Sequence, residues 1–391
     1  MIARVFIWII LLIILPDIYL YRRLRGKRPE MGPGMKMLWW LPAAILLVYT
    51  VALAMTENFA PKNMIWLRIY LALSGLLLVP KAVFCLCSFI GWAIRRSTGA
   101  TFNYGTLVGD VLSLGCVLLF FYGLLYGWRG LTVKHADITV KNLPAAFDGY
   151  RITLFSDWHL GSFTGKAEKL AERDADSINA QKSNLIVFTG DLQNMQPAEL
   201  IPFRKTMASL KAPDGVFSVL GNHDYTAYID PDTPEAQKRK NERLTQTAER
   251  QAGWHLLINT NCVIKHGSDS IFIAGGECAD KKKERDRDNI AATARNIPKG
   301  AFVINLQHNP GAWDSTSVSR LAPQITLSGH THGGQMSVCG LRPTMLQYDY
   351  DYGLYERDGK FIYVTGGLGG LISFRINMEP EIVVITLHRA K

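Results

Sequence analysis

Apolar residues follow two rhythms along this chain, and the change between them divides it. Before about residue 130 they form long unbroken runs; after it they come as short β-branched runs separated by polar helical stretches. Val5–Tyr21 is apolar except for Asp17, Met37–Met55 is uncharged, Met64–Ile94 is apolar apart from Arg68 and Lys81, and Val111–Trp128 is again uncharged. A helix needs about 20 apolar residues to cross the hydrocarbon core. The pattern predicts a transmembrane domain over 1–130, with four spans at about 5–21, 37–55, 66–94 and 105–128. Pro80 predicts a tilt or kink in the long third run. Trp39, Trp40, Trp66, Trp92, Tyr104 and Trp128 lie near run ends, where amphipathic rings prefer the interface. No small-residue cleavage site follows the first run, which therefore reads as a retained helix rather than a signal peptide. Of Asp17, Arg68, Lys81 and Asp110, most lie within a turn or two of a span end and are expected to reach the interface.

Over 131–391 the alternation of β and helical texture predicts a sheet layered with helices. Strands are expected at 151–155, 185–189, 216–220, 270–274, 301–306, 324–327, 361–365 and 382–387, with helices at 165–180, 197–210 and 234–252. The mixed-sign run Lys281–Asp288 reads as a solvated helix start.

Charge supports the division. The chain has a net charge of +10, which alone would suggest nucleic acid, but residues 1–135 hold 14 Lys and Arg against 4 Asp and Glu and so carry the whole excess. The remainder is neutral, so no nucleic-acid partner is expected. The first and third loops between spans are basic (Arg22, Arg23, Arg25, Lys27, Arg28 and Lys36; Arg95 and Arg96). Positive loops stay cytoplasmic, which predicts a multi-pass cell-membrane protein with its C-terminal domain on the extracytoplasmic side. Six cysteines without a CxxC pair imply neither a disulfide scaffold nor a cysteine metal site.

The candidate chemistry follows the predicted strands. Ser156-Asp157-Trp158-His159 follows the first, Gly190-Asp191 the second, Gly221-Asn222-His223-Asp224 the third, Gln307-His308 another, and Gly329-His330-Thr331-His332-Gly333 the next. Carboxyl ends of parallel strands gather on one edge of an α/β sheet, and ligands bind there. Carboxylates, an amide and imidazoles suit zinc, manganese or iron, and this many donors exceeds the four to six that one ion takes. The count points to two ions with Asp191 between them.

These ordered blocks resemble the calcineurin-like metallophosphoesterase superfamily, most closely its membrane-anchored bacterial branch, over about residues 135–391. The resemblance implies a four-layer αββα sandwich. It implies that Asp157, His159, Asp191 and His332 hold one metal ion, that Asp191, Asn222, His308 and His330 hold another, and that a metal-bound hydroxide attacks phosphorus in line. His223 would act at the leaving oxygen rather than as a ligand. In one departure, many relatives carry a carboxylate three residues after the bridging Asp to orient that histidine; here Asn194 stands there, which implies either a substrate with a good leaving group or compensation by Asp224. The expected function is a membrane-anchored phosphoesterase acting on a phosphate ester, phosphodiester or pyrophosphate, a lipid-linked substrate being one option and a soluble one the runner-up. A transporter or sensor whose domain binds metal without catalysis is the rival from another class. Arg375, after the glycine run 366–370, reads either as a phosphate contact or as a loop-packing arginine, and His135, His255, His266 and His388 read as structural.

Overall fold

A computed structural model describes residues 6–27, 32–56, 64–226, 228–229, 232–277 and 289–390. The chain divides into two compact units, Met1–Leu124 and Leu125–Lys391. Lys281–Asp288 and Cys278 lie outside the described residues.

The first unit is helical: α1 (Phe6–Lys27), α2 (Pro33–Ala54), α3 (Met64–Leu73), α4 (Val79–Thr98) and α5 (Tyr104–Leu125), with a π-helical turn, Ser74–Leu78, joining α3 to α4. Among the described residues, three stretches are long and apolar enough to cross a membrane: Pro33–Ala54, Ile65–Thr98 and Tyr104–Arg129. The helix α1 carries Pro16, Asp17 and a basic end, so its own composition does not place it among them. The irregularity expected near Pro80 takes the form of the π-turn just before it. Proline lacks the N–H that would close the preceding helical turn, and the wider turn accommodates the lost bond. The unit packs through Ile13, Ala43, Leu46 and Leu78.

Asp17 and Lys81 depart from expectation. Rather than reaching outward separately, Lys81 Nζ donates to Asp17 Oδ2 at 2.7 Å, pinning α1 to α4, and Asp17 is buried. An ionised group away from water needs a partner, and these two supply each other. Arg23 adds hydrogen bonds to Ser88 and to Thr106 Oγ1.

The second unit holds two six-stranded mixed sheets. The first has the order β1-β12-β2-β3-β4-β5, from Thr132–Val140, Glu381–Arg389, Arg151–Phe155, Leu185–Phe188, Val216–Ser218 and His255–Leu256. The second has the order β10-β11-β9-β8-β7-β6, from Gly353–Arg357, Lys360–Val364, Ile325–Ser328, Val303–Leu306, Asp269–Gly275 and Thr260–His266. Ile152, Leu154, Val187 and Phe217 of one sheet meet Ile271, Ile304, Leu306 and Leu327 of the other in a single buried core. The outer face of the first sheet is covered by α6 (Glu168–Ala180), the 3-10 turn Pro197–Phe203 and α7 (Arg204–Ala208), through Ala171, Ile178, Phe203 and Met207. A further helix, α8 (Glu235–Gln251), follows β4. Ala294 and Leu321 pack on Ala274 and Val303 outside the second sheet. This is the expected four-layer αββα sandwich. Strands β1, β5, β6 and β10 were not among those expected from sequence; β6 and β10 form antiparallel pairs with β7 and β11 at opposite edges of the second sheet.

Candidate metal centre

The chemistry-bearing segments occupy the carboxyl ends of β2, β3 and β4 in one sheet and of β8 and β9 in the other. Each set is mutually parallel, so its ends share one edge. Loop backbones stitch that edge together. Asp157 N–H donates to Gly190 O at 2.8 Å and His159 N–H to Asp191 O at 3.0 Å. Across the sheets, His330 N–H donates to Asp157 Oδ2 at 2.9 Å. Asp191 Oδ1 accepts His223 N–H at 2.8 Å. A Cβ on Gly221 would collide with Asp191 Oδ1, so glycine is required where these loops cross.

Asp157, His159, Asp191, His330 and His332 all have positive φ, between 47° and 74°. Such backbone is strained for residues with a Cβ, though Asp and His tolerate it better than branched side chains. Five such residues in one cluster aim their side chains at one point.

That point is shared by two adjacent groups of donors. Asp157, His159 and His332 bring ligand atoms within 4.8 Å of one another, and so do Asp191, His308 and His330. His308 Nε2 lies 3.2 Å from Asp191 Oδ2, 3.1 Å from Asn222 Oδ1 and 3.1 Å from His330 Nδ1. His159 Nε2 lies 3.7 Å from the same Asp191 Oδ2, and His332 Nε2 lies 3.4 Å from Asp157 Oδ1. All seven metal-ligand candidates read from sequence therefore converge, with Asp191 between the groups. His159, Asp191 and His223 also form such a group, so His223 belongs to the same buried cluster.

The donor set fits cations. His308 Nδ1 is 2.7 Å from Thr189 O, which fixes the proton there and turns the Nε2 lone pair inward. Asn222 Nδ2 donates to Tyr228 OH at 2.9 Å, leaving Oδ1 inward. His159 Nε2 and His332 Nδ1 are buried with no hydrogen-bond partner. Donor atoms bound at about 2.1 Å to one ion are spaced by about 3.0–3.4 Å, the spacing around His308.

Titration follows the same geometry. Burial lowers His159, His330 and His332 to about 3, so they are neutral bases, as metal ligands must be. Burial would also lower His308, but the Asp191 carboxylate outweighs it and raises the imidazole to about 9. Asp191 is held well below the usual carboxylate range: burial opposes this, and His308 and His223 prevail.

The residue at the family's departure point has a different place from the one expected. The Asn194 side-chain Oδ1 lies 3.0 Å from Nδ1 of His159, while its backbone carbonyl lies 2.6 Å from Nδ1 of His223. His223 is thus oriented by main chain, and the side chain serves a different histidine. Nor does Asp224 substitute for the missing carboxylate. It accepts the N–H groups of Asp191, Leu192 and Gly221 at 2.8–2.9 Å, clamping the loops on both sides of the site. Arg375 is buried and donates to the carbonyls of Gly366, Gly367, Gly369 and Met378, which makes it the loop-packing arginine. His266 pairs with Asp214, His388 with Asp137, and His255 stacks on Phe217, all apart from the donor groups. Sequence reasoning missed Tyr228, whose ring lies 4.3 Å from that of His223, and Tyr348, whose hydroxyl lies 3.1 Å from His330 Nε2. Neither belongs to a motif; Tyr228 follows the third block and Tyr348 the last.

Two packed mixed sheets with Asp, Asn and His donors at their strand ends, carried behind apolar helices, define a membrane protein of the metal-dependent phosphoesterase class. Two family models match: "Probable Calcineurin-like phosphoesterase, transmembrane domain" over residues 3–130 and "Calcineurin-like phosphoesterase" over 150–334. The chain belongs to the calcineurin-like metallophosphoesterase family. It is 26% identical over 327 residues to a zebrafish (Danio rerio) transmembrane protein with metallophosphoesterase domain, covering 79% of this chain and 70% of the relative. It is 28% identical over 300 residues to the metallophosphoesterase YkuE of Bacillus subtilis (strain 168), covering 73% and 94%. It is 27% identical over 272 residues to phosphodiesterase YaeI of Escherichia coli (strain K12), covering 67% and 89%.

Proposed function

We propose that the protein is a dinuclear phosphoesterase hydrolysing a phosphate ester, phosphodiester or pyrophosphate, with its catalytic domain on the extracytoplasmic side of the cell membrane. The observation that carries the dinuclear reading is the pair of donor groups meeting at Asp191. Asp157, His159, Asp191 and His332 would hold one cation, and Asp191, Asn222, His308 and His330 the other. Manganese, zinc and iron suit these donors. Bound there, two cations supply charge for the phosphoryl oxygens and lower the pKa of water toward neutrality.

The chain's own residues supply the rest. His223, oriented by its Nδ1 against the Asn194 carbonyl, would hold or pass a proton at the departing oxygen. Tyr228 packs on that ring and limits its rotation. Water adds to phosphorus, one P–O bond breaks, and the proton is delivered to the leaving group. The extracytoplasmic placement rests on the basic first and third loops.

The test is metal content beside turnover in the full-length protein. Asp191→Asn should lose both ions and all hydrolysis of bis(p-nitrophenyl) phosphate, whereas His223→Ala should keep both ions and lose about 10²–10⁴-fold in turnover. Undiminished metal in Asp191→Asn would refute the shared carboxylate, and metal loss in His223→Ala would make that residue a ligand. A reporter fused after Lys391 that is active only in the cytoplasm would refute the sidedness.

A further inference from the structure

The segment after His332 is unusual for an enzyme surface. Residues 335–348 contain Met336, Val338, Leu341, Met345 and Leu346 and no acidic residue. Leu346 is 95% exposed, Leu341 70%, Met345 49% and Val338 42%. Single exposed aliphatics are ordinary, but several on one short loop mark a surface that meets something apolar.

The loop is also held in shape. Arg342 Nε donates to Asp351 Oδ2 at 2.6 Å and Thr344 Oγ1 to the same oxygen at 3.0 Å. The Val338 and Leu341 backbones exchange two hydrogen bonds at 3.0 Å. Its inner side packs on the backbone of Gly334, where Pro343 and Thr344 lie against the position a Cβ would take. Tyr348, at its end, reaches His330. The aliphatic tips therefore stand outward on a braced loop whose other side touches the candidate metal centre. A loop free to collapse would have covered them.

The chain itself supplies the occupant. The last apolar stretch ends at Arg129, and β1 begins at Thr132. With so short a connection the domain stays at the bilayer, and lipid is the apolar phase at the highest local concentration. The lack of carboxylates over 335–348 removes repulsion from anionic headgroups.

We infer that the 336–348 loop is an aliphatic wedge entering the headgroup region of the bilayer that anchors the protein, and that the adjoining site acts on phosphate carried by membrane lipids. The substrate half rests on the phosphoesterase reading above; the docking half does not.

The experiment uses manganese-loaded full-length protein in nanodiscs of phosphatidylethanolamine and phosphatidylglycerol. In a cysteine-free background, spin labels are placed at Leu346→Cys and, as a control on α8, at Leu244→Cys. Power saturation with oxygen and a nickel chelate should find the 346 label in lipid and the 244 label in water. With native cysteines kept, Leu341→Ser/Leu346→Ser should lower kcat/KM for phosphatidic acid in the nanodisc by about tenfold or more, with p-nitrophenyl phosphate turnover held within about twofold. A 346 label as water-accessible as the control overturns the docking, as does dipolar coupling between 346 labels of two copies, which would mark a self-association face. Equal loss on both substrates overturns the substrate half. Wild-type protein hydrolysing neither substrate refutes the phosphoesterase reading and the substrate half with it, while the depth measurement, which needs no turnover, still decides the docking.

Discussion

Asn194 offers the sharpest perturbation of the site because its two ends serve different histidines. Asn194→Ala removes the amide that accepts from His159 Nδ1 and leaves the main-chain carbonyl that holds His223. It also removes the donor to Ser162 Oγ, 2.9 Å away, which ties the amide in place. His159 and Asn194 are both buried, so the imidazole N–H would lose its partner out of reach of bulk water. An unsatisfied buried donor costs about 1–3 kcal/mol. Loss of a residue orienting a metal-bound imidazole independently costs about 10–100-fold in affinity, or about 1.4–2.8 kcal/mol. The two estimates agree, and on the two-cation reading proposed above they fall on one cation only, the one that His159 would hold. Dialysis of full-length protein against graded chelator, followed by elemental analysis, should show wild type losing its metals over one range. The Asn194→Ala protein should lose one equivalent at a chelator strength about 10–100-fold lower and keep the other. Its pH–rate profile, measured with saturating metal, should keep the wild-type limbs, because His223 retains its carbonyl. Loss of both equivalents together would refute the reasoning, as would unchanged metal retention with a displaced pH limb.

Two further predictions concern charge pairs. In metal-free protein, Asp191 raises His308 to about 9 against an ordinary value of 6.5, so the folded state binds that proton more tightly than the unfolded state. The stability this contributes is fully present below pH 6.5 and is lost as pH rises through 9. Chelator-treated protein should therefore unfold at progressively lower denaturant concentration between those pH values, and a flat midpoint would contradict the pairing. In the helical unit, Asp17→Ala or Lys81→Ala leaves the other charge without its partner and should destabilise by about 3 kcal/mol in bicelle unfolding. The double substitution should recover most of that loss, and additive losses would show that the two groups act separately.

The strand-end blocks were legible because metal chemistry concentrates rare residue types at fixed places. Asp157-x-His159 and His330-x-His332 each follow a short β-branched run, and sheet geometry does the rest. Strands such as β1 (Thr132–Val140), where Lys134, His135 and Asp137 break the apolar run, were not legible, because a third to a half of each such strand is exposed. What Asn194 does was beyond reach as well: whether an amide or a carbonyl meets a ring depends on loop backbone that no spacing encodes. The Asp17–Lys81 pair joins residues 64 positions apart, and hydropathy reads each as an isolated cost. The same limit applies to α1, whose composition falls short of a span until its acid is neutralised by a partner on α4.

The backbone conformations at the site carry the argument a step further. Each of the five donors with positive φ adopts a shape that costs an L-residue about 1–2 kcal/mol. Summed, that is a sizeable share of the 5–15 kcal/mol by which a whole domain is usually stable. A single loop could not hold five such residues. Here four of the five are held by groups outside their own loops: Asp157 and His159 by Gly190 and Asp191 carbonyls, His330 by the Asp157 carboxylate, and Asp191 by Asp224. The sheets supply the fixed ends between which these bonds span. The strained loops thus stabilise one another only when all are in place, so the donor cluster forms as a unit or not at all. Cations drawing the same side chains together add to that cooperativity, which couples metal binding to the folding of the strand-end loops rather than to any one ligand.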